Sequence, residues 1–284
     1  MADVHLCHWT AADYHASDRI SRSLVAAYDT DPALYHAQRV ALTSPLPEAS
    51  DAMHLGTCFH CAVLEPEEWE RRMQCKPARK GEGIVKQIKE WEANLPPDAL
   101  IVTDAEVTRV HRMRDALFKP RTPIARTARR MLDACEREVT YTWRDEDPQL
   151  AAPMECRARL DLLHVSTTEA HILDLKSIGS SPDPRSIGRA VGEHKYHWQA
   201  PFYSAPVLEA TGLVPTFGFI FVRSVEPFDV AIYRLRPEDI TAAEVQVRRA
   251  MRRLSTCIAT NTWTASYEAG AQVADIPRWY LETT

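Results

Sequence analysis

The sequence predicts an α/β fold, a central mixed sheet flanked by helices with a helical elaboration ahead of it. Three observations predict it. The stretch from Glu138 to Leu235 carries β-branched and apolar runs separated by turn residues; helix starts with capping residues crowd the first 135 positions; and one long helical run separates the first three strands from the last two. Hydrophobic residues at 45% and charged residues at 26% are ordinary for a globular chain, and 284 residues can bury a large core. A single domain over 1–284 is expected, mainly helical over 1–135, with its core at 136–260 and a tail at 261–284.

Each element has a local reason. Ser17 to Tyr28 reads as a short helix, and Asp31-Pro32 opens another, with an acceptor at the N-cap and proline at the first helical position. Asp51 to Glu65 has apolar Met53, Phe59, Ala62 and Val63 at helical spacing, contains His60 and stops at Pro66. Arg79 to Gly83 is a charged connection, and Ile84 to Leu95 an amphipathic helix. Thr103-Asp104-Ala105-Glu106 is a capping box that starts a helix to about Phe118. Glu138 to Trp143 is a β-branched strand. Arg157 to Leu163 and His171 to Lys176 read as a hairpin around the turn Ser166 to Glu169. A loop and short helix over Ser180 to Gly192 lead to a helix over Tyr196 to Gly212. Strands Phe217–Arg223 and Phe228–Leu235 and a helix from Pro237 to about Thr260 complete the chain, ahead of Ile276–Tyr280 in the tail.

Charge and cysteine use narrow the function. A net charge of -5 argues against a protein that coats nucleic acid nonspecifically. Locally, however, Arg109, Arg112, Arg114, Lys119, Arg121, Arg126, Arg129 and Arg130 form a basic run that can be either a solvated helix face or a wall tracking phosphates. Met1 to Ile20 lacks the apolar core of a signal peptide and no run approaches a membrane span, so a cytoplasmic protein is expected. Seven scattered cysteines fit reduced thiols, and Cys58-Phe59-His60-Cys61 has no second half to make a zinc site.

The hairpin carries the chemistry. Strand side chains alternate, so Asp174 and Lys176 share a face with Ile172, while Leu173 and Leu175 point into a core. Asp161 on the partner strand can come opposite Asp174, which gives two carboxylates and an ammonium in a small volume. Hard oxygen ligands of this kind suit Mg²⁺, which takes one or two carboxylates and completes its shell with water and phosphate oxygens. Phosphodiester hydrolysis is the matching reaction. Taken alone, an Asp-x-Lys is more often a solvated strand face.

With these residues in view, the chain resembles the RecB-type branch of the PD-(D/E)xK nuclease superfamily, and within it the exonuclease VIII (RecE-type) group. The resemblance spans nearly the whole chain: Tyr14-His15 and Ile20-Ser21-Arg22-Ser23; Gly56 to His60 running to Leu64-Glu65-Pro66; Glu138 before an aromatic strand; Arg157 to Asp161; Ile172 to Lys176; and Gln199 to Tyr203. It implies a restriction-endonuclease-like core. It also implies that Asp161 and Asp174 bind the metal, that Lys176 sits by the attacking water, and that His60 is an additional ligand. Glu138 would be a nearby acid touching the metal through water, or a second metal directly, and Gln199 and Tyr203 would lie beside the active site and help hold the substrate strand. Asp174 stands where many relatives have Glu, and Arg157 where lysine is frequent.

The activity implied is a Mg²⁺-dependent 5′–3′ exonuclease on linear double-stranded DNA in recombination and repair, with Mn²⁺ able to substitute. Arg157 and Arg159, with Arg126, Arg129 and Arg130 of the basic run, are the expected DNA contacts. A single-strand annealing recombinase and a ring-shaped homo-oligomer are the partners implied, and no membrane. Only Cys257 follows the core, so an iron-sulfur cluster of the kind some relatives carry is not expected, nor is ATP use, since no Gly-x-x-x-x-Gly-Lys occurs. Two other readings stay open: a structure-specific or single-strand endonuclease on this fold, and a DNA-binding module with a vestigial site.

Overall fold

The computed structural model describes residues 2–77 and 84–263. The expected connection Arg79–Gly83 and the tail residues Ile276–Tyr280 lie outside the described residues. In chain order the elements are β1 (Ala2–Cys7), α1 (Ala11–Ala16), α2 (Arg22–Thr30), α3 (Pro32–Arg39), α4 (Asp51–Leu64), α5 (Pro66–Arg72), β2 (Met73–Cys75), α6 (Ile84–Ala93), β3 (Leu100–Val102), α7 (Asp104–Phe118) and α8 (Pro123–Ala134). There follow β4 (Glu136–Asp145), β5 (Met154–Val165), β6 (Ala170–Ile178), α9 (Pro184–Glu193), a 3₁₀ turn (Tyr196–Trp198), α10 (Gln199–Thr211), β7 (Thr216–Arg223), β8 (Val230–Arg234) and α11 (Pro237–Thr260).

The main sheet has the order β1-β4-β5-β6-β7-β8, and β2 and β3 pair separately. It is mixed because β6 and β7 run parallel, joined by the crossover through α9 and α10, while every other neighbouring pair is antiparallel. Both faces of the sheet are covered. One core packs Trp143, Ala158, Ile172 and Phe219 against α2, α10 and α11, and the other packs Leu162, Leu173, Leu175 and Ile220 against α4, α7 and α8. Residues of 1–135 contribute to both cores.

The capped starts hold in detail. Ser50 receives Met53 N–H at the head of α4, Asp31 receives Leu34 N–H at the head of α3, and Thr103 and Glu106 close their capping box. Two local expectations change. The helix expected from Ser17 starts only at Arg22, because Ile20 is drawn into a bridge with Cys156, its N–H donating to Glu155 O at 2.8 Å. Met53 is 64% exposed and lies off the core face of α4, where Leu55, Cys58 and Phe59 pack instead. Ile172 shares its face with Asp174, as expected, and is buried in the core beneath α2, α10 and α11, while Leu173 and Leu175 join the opposite core. The seven cysteines are free. Among the described residues no helix is long and apolar enough to cross a membrane.

Candidate active site

The site forms where two strand ladders open at the same level. β5 and β6 pair from Val165↔Ala170 to Leu162↔Leu173, so one step further Asp161 stands opposite Asp174. Here the ladder stops and the Leu175 N–H donates to Asp161 Oδ2 at 2.8 Å, a side chain replacing the strand partner. On the other side of β5, the pairs Arg137↔Leu162 and Val139↔Leu160 flank Glu138, which therefore faces Asp161. Glu138 adopts a left-handed backbone conformation with φ 55°, unusual for a residue with a side chain and costing about 1–3 kcal/mol. Inward and outward alternation also breaks at this level, since Leu160 and Leu162 join opposite cores. Glu138, Asp161 and Asp174 thus form one row across three adjacent strands.

Two helices, one from each layer, close on this row. From α4, His60 Nδ1 comes to 3.6 Å from Asp161 Oδ2. Gly56, one turn earlier, faces β6; a Cβ there would stand 3.3 Å from Ser177 Oγ, so the glycine permits the close approach that delivers His60. From α10, Gln199 Nε2 donates to Asp174 Oδ1 at 2.6 Å and lies 3.4 Å from the Tyr203 hydroxyl. Gln199 and Tyr203 are both buried, so in this structure they orient Asp174 rather than face solvent. Lys176 pairs with Asp174 Oδ2. The side chains of His60, Asp161 and Lys176 keep 27%, 14% and 14% exposure against 2% for Asp174, which places the mouth of the site over the first three.

The electrostatics follow from crowding acids in a poorly solvated place. Burial, and then the Asp174 charge, push the Asp161 carboxyl well above the ordinary aspartate range. Burial pulls the Lys176 ammonium down, but Asp174 and Asp161 outweigh it and hold it above the usual lysine value. His60 is pushed down to about 4 by burial and by Lys176, so it is neutral near pH 7 and has a lone pair to give. Glu138 is raised to about 7, burial exceeding the pull of Arg159. Burial lifts the Tyr203 phenol to about 12 against the pull of the Arg22 guanidinium.

This donor set fits a divalent cation. Asp174 Oδ2 is buried, and its partner is the Lys176 ammonium, a charge contact without good hydrogen-bond alignment; Gln199 Oε1 is buried with no donor at all. Two mutually repelling carboxylates, a neutral imidazole and under-satisfied oxygens are what a hard, partly hydrated cation offsets. Among the described residues no three His, Cys, Asp or Glu side chains close into a metal cage. Lys176 is drawn onto Asp174 and Arg159 onto Glu138.

The residues expected to contact DNA fall into two sets, one on β5 beside the row and one on α8. Arg159 is a buried bridge: it pairs with Glu138, donates to Glu65 Oε1 at 2.8 Å and reaches the Trp9 carbonyl at 2.8 Å. Arg157 is also buried, donating to the carbonyls of Tyr14 and Ser17 while its guanidinium lies 4.6 Å over the Tyr14 ring. Strand alternation turns both inward; the three guanidinium nitrogens of Arg159 and the Nη1 of Arg157 donate within the protein, while the buried Arg157 Nε has no partner among the described residues. Arg126, Arg129 and Arg130 lie on α8, which packs against β8; Arg129 pairs with Asp133 and stacks on Phe118, and Arg130 donates to Thr127.

Two neighbours have no role legible in the sequence. Arg22 has a buried Nε with no hydrogen-bond partner, and its charge reaches Lys176 and Tyr203. Tyr196 places its ring 5.0 Å from Lys176 Nζ. The first belongs to the Ile20-Ser21-Arg22-Ser23 motif, whereas only tertiary packing reveals the second.

A mixed sheet between helices, with acids on adjacent strands and a lysine two residues beyond the second, defines a PD-(D/E)xK domain. The chain belongs to the family described as a PDDEXK-like domain of unknown function (DUF3799), which matches residues 21–271. Among solved structures it resembles an exonuclease candidate from Eubacterium rectale, with a TM-score of 0.60 and 13% identity over 97% of this chain and 98% of that one, a likeness of fold. SSO0001 overlays at a TM-score of 0.29 with 12% identity, over 75% of this chain and 81% of that one. VC1899 from Vibrio cholerae overlays at 0.21 with 13% identity, over 87% and 59%; overlays this loose carry no structural inference. No curated protein matches the sequence.

Proposed function

We propose that the protein is a divalent-metal-dependent deoxyribonuclease that digests linear duplex DNA from its ends, 5′ to 3′, in recombination or repair. The observation that carries this reading is the row of Glu138, Asp161 and Asp174 across three strands with Lys176 and His60 against it. Mg²⁺ is the cation proposed, with Mn²⁺ able to replace it, held by Asp161 and Asp174 with His60 and Glu138 in support. Such a cation polarises a phosphate and lowers the pKa of a bound water.

The chain's own groups supply the rest. Gln199 holds Asp174 by Oδ1 and leaves Oδ2 toward Lys176, and Tyr203 backs Gln199. The Lys176 ammonium, kept charged by the two aspartates, orients the attacking water and offsets charge that grows on the phosphate oxygens. The neutral His60 imidazole adds a softer donor, which favours Mn²⁺ over Mg²⁺ in tolerance to substitution elsewhere. We read 1–284 as one domain because both cores draw on the N-terminal helices and the sheet together.

The test is purified protein with linear and covalently closed circular duplex, with and without Mg²⁺. Short products from the linear duplex alone, only with the cation, are expected. Rapid nicking of closed circles would replace the end-dependent reading with an endonuclease, and inactivity with every divalent cation would remove the nuclease reading.

A further inference from the structure

The 3₁₀ turn ahead of α10 delivers two side chains to the hairpin. Its last neighbour, Gln199, holds Asp174; its first residue, Tyr196, presents a ring to Lys176, Nζ lying over it at 5.0 Å from the centroid. The turn is firmly set. Lys195, in a left-handed conformation, donates to Asp29 Oδ2 at 2.8 Å, and Trp198 Nε1 donates to Gln246 Oε1 at 2.8 Å. The ring itself is backed by His194 at 5.2 Å and Phe219 at 6.4 Å, and Phe219 is the β7 partner of Asp174. The Tyr196 hydroxyl makes no hydrogen bond among the described residues, so the contact with the site is the face of the ring.

An ammonium is attracted to the electron-rich face of an aromatic ring, and the attraction grows when water is excluded. Lys176 is mostly buried and has the Asp174 and Asp161 carboxylates and this ring beside it. If both aspartates give oxygens to a cation, the ammonium loses its carboxylates and is pushed away by the new charge. The ring is then what keeps it beside the reacting phosphate. We propose that Tyr196 is a positioning residue that holds the Lys176 ammonium through its ring face, independently of its hydroxyl. The kinetic consequence rests on the nuclease reading; the contact does not.

The experiment therefore has two arms. In the first, lysine side chains are isotopically labelled and the Lys176 signals are assigned by their loss in Lys176→Arg. Upfield ring-current shifts of the Lys176 Cε protons are expected in the native protein and in Tyr196→Phe, and their collapse in Tyr196→Leu. Unshifted Lys176 signals in the native protein overturn the proposal whether or not the protein cleaves DNA. The second arm measures cleavage of linear duplex. Tyr196→Leu should lower kcat by about 10–30-fold with KM unchanged, as expected for a desolvated cation–ring contact, and Tyr196→Phe should restore most of the rate. A Phe variant as slow as the Leu variant would assign the effect to the hydroxyl and overturn the ring-face role. If Tyr196→Leu does not fold, the native and Phe spectra still decide the contact. If no variant and no native protein cleaves DNA, the nuclease reading fails while the first arm stands.

Discussion

The acid row and the basic surface of α7 and α8 are both concentrations of charge, but they are built in opposite ways. In the row, apart from Lys176 and Asp174 on one strand, partners come from distant parts of the chain: Arg159 with both Glu138 and Glu65, His60 with Asp161. On the helices, pairing is mostly local, as with Lys119–Asp115 and Arg129–Asp133 four residues apart. The difference teaches that a conspicuous run of like charge in a sequence is a helix-surface property, whereas a buried charge exists only where topology provides its partner. Removing one member should therefore be costly in the first region and nearly free in the second.

The comparison can be broken by mutation. The largest expected effect is on Asp174: Asp174→Ala should cut hydrolysis by about 10³-fold or more and weaken Mn²⁺ binding in calorimetry, and unchanged Mn²⁺ affinity would remove Asp174 from the metal's ligands. Lys176→Ala should cost about 10²–10³-fold in rate while Mn²⁺ binding persists, because the ammonium acts on the reacting groups and not on the cation. Near-native turnover would leave Lys176 a simple ion-pair partner. Arg159→Leu should destabilise the fold by about 1–3 kcal/mol in urea unfolding, since it leaves the half-buried Glu138 and Glu65 without their guanidinium. A stable variant with weakened DNA binding would restore the phosphate-contact role that its burial argues against.

The smallest effect is on the helix surface. Neutralising Arg126 and Arg130 together should change stability by no more than about 0.5 kcal/mol. If these residues track phosphates, the log-log slope of DNA affinity against salt falls by about 0.9 for each phosphate no longer neutralised. An unchanged slope makes them solvated surface and sharpens the contrast.

Much of this was legible. The hairpin announces itself by two apolar runs around Ser166–Glu169, and its register follows from the length of that turn, so the meeting of Asp161 with Asp174 can be read from the chain alone. Strand β1 cannot: Ala2–Cys7 is an edge strand whose Leu6 is 54% exposed, so it lacks the buried alternation that marks an interior strand. The left-handed Glu138 is equally hidden, because no glycine flags it. Arg157 and Arg159 look like phosphate ligands because their type suits phosphate, but which face they occupy and what awaits them there, Tyr14 and Ser17 carbonyls or Glu65, is set by segments about 90 to 140 positions away. Tyr196 belongs to the same category, its value lying wholly in what β6 brings under its ring.

The alignment of three acids at one level of the sheet also guards the assembly of the fold. Because successive strand residues face opposite sides, sliding β5 by one position against β6 would carry Asp161 from the side of Asp174 and His60 to the other side and bring leucines in its place. The displaced carboxylate would then be buried with neither the Leu175 N–H nor a cation to receive it. The slipped sheet bears that penalty in full, and the native one offsets part of it through the Leu175 N–H. The side chains arranged for chemistry thereby also favour the native strand register over its one-residue slip.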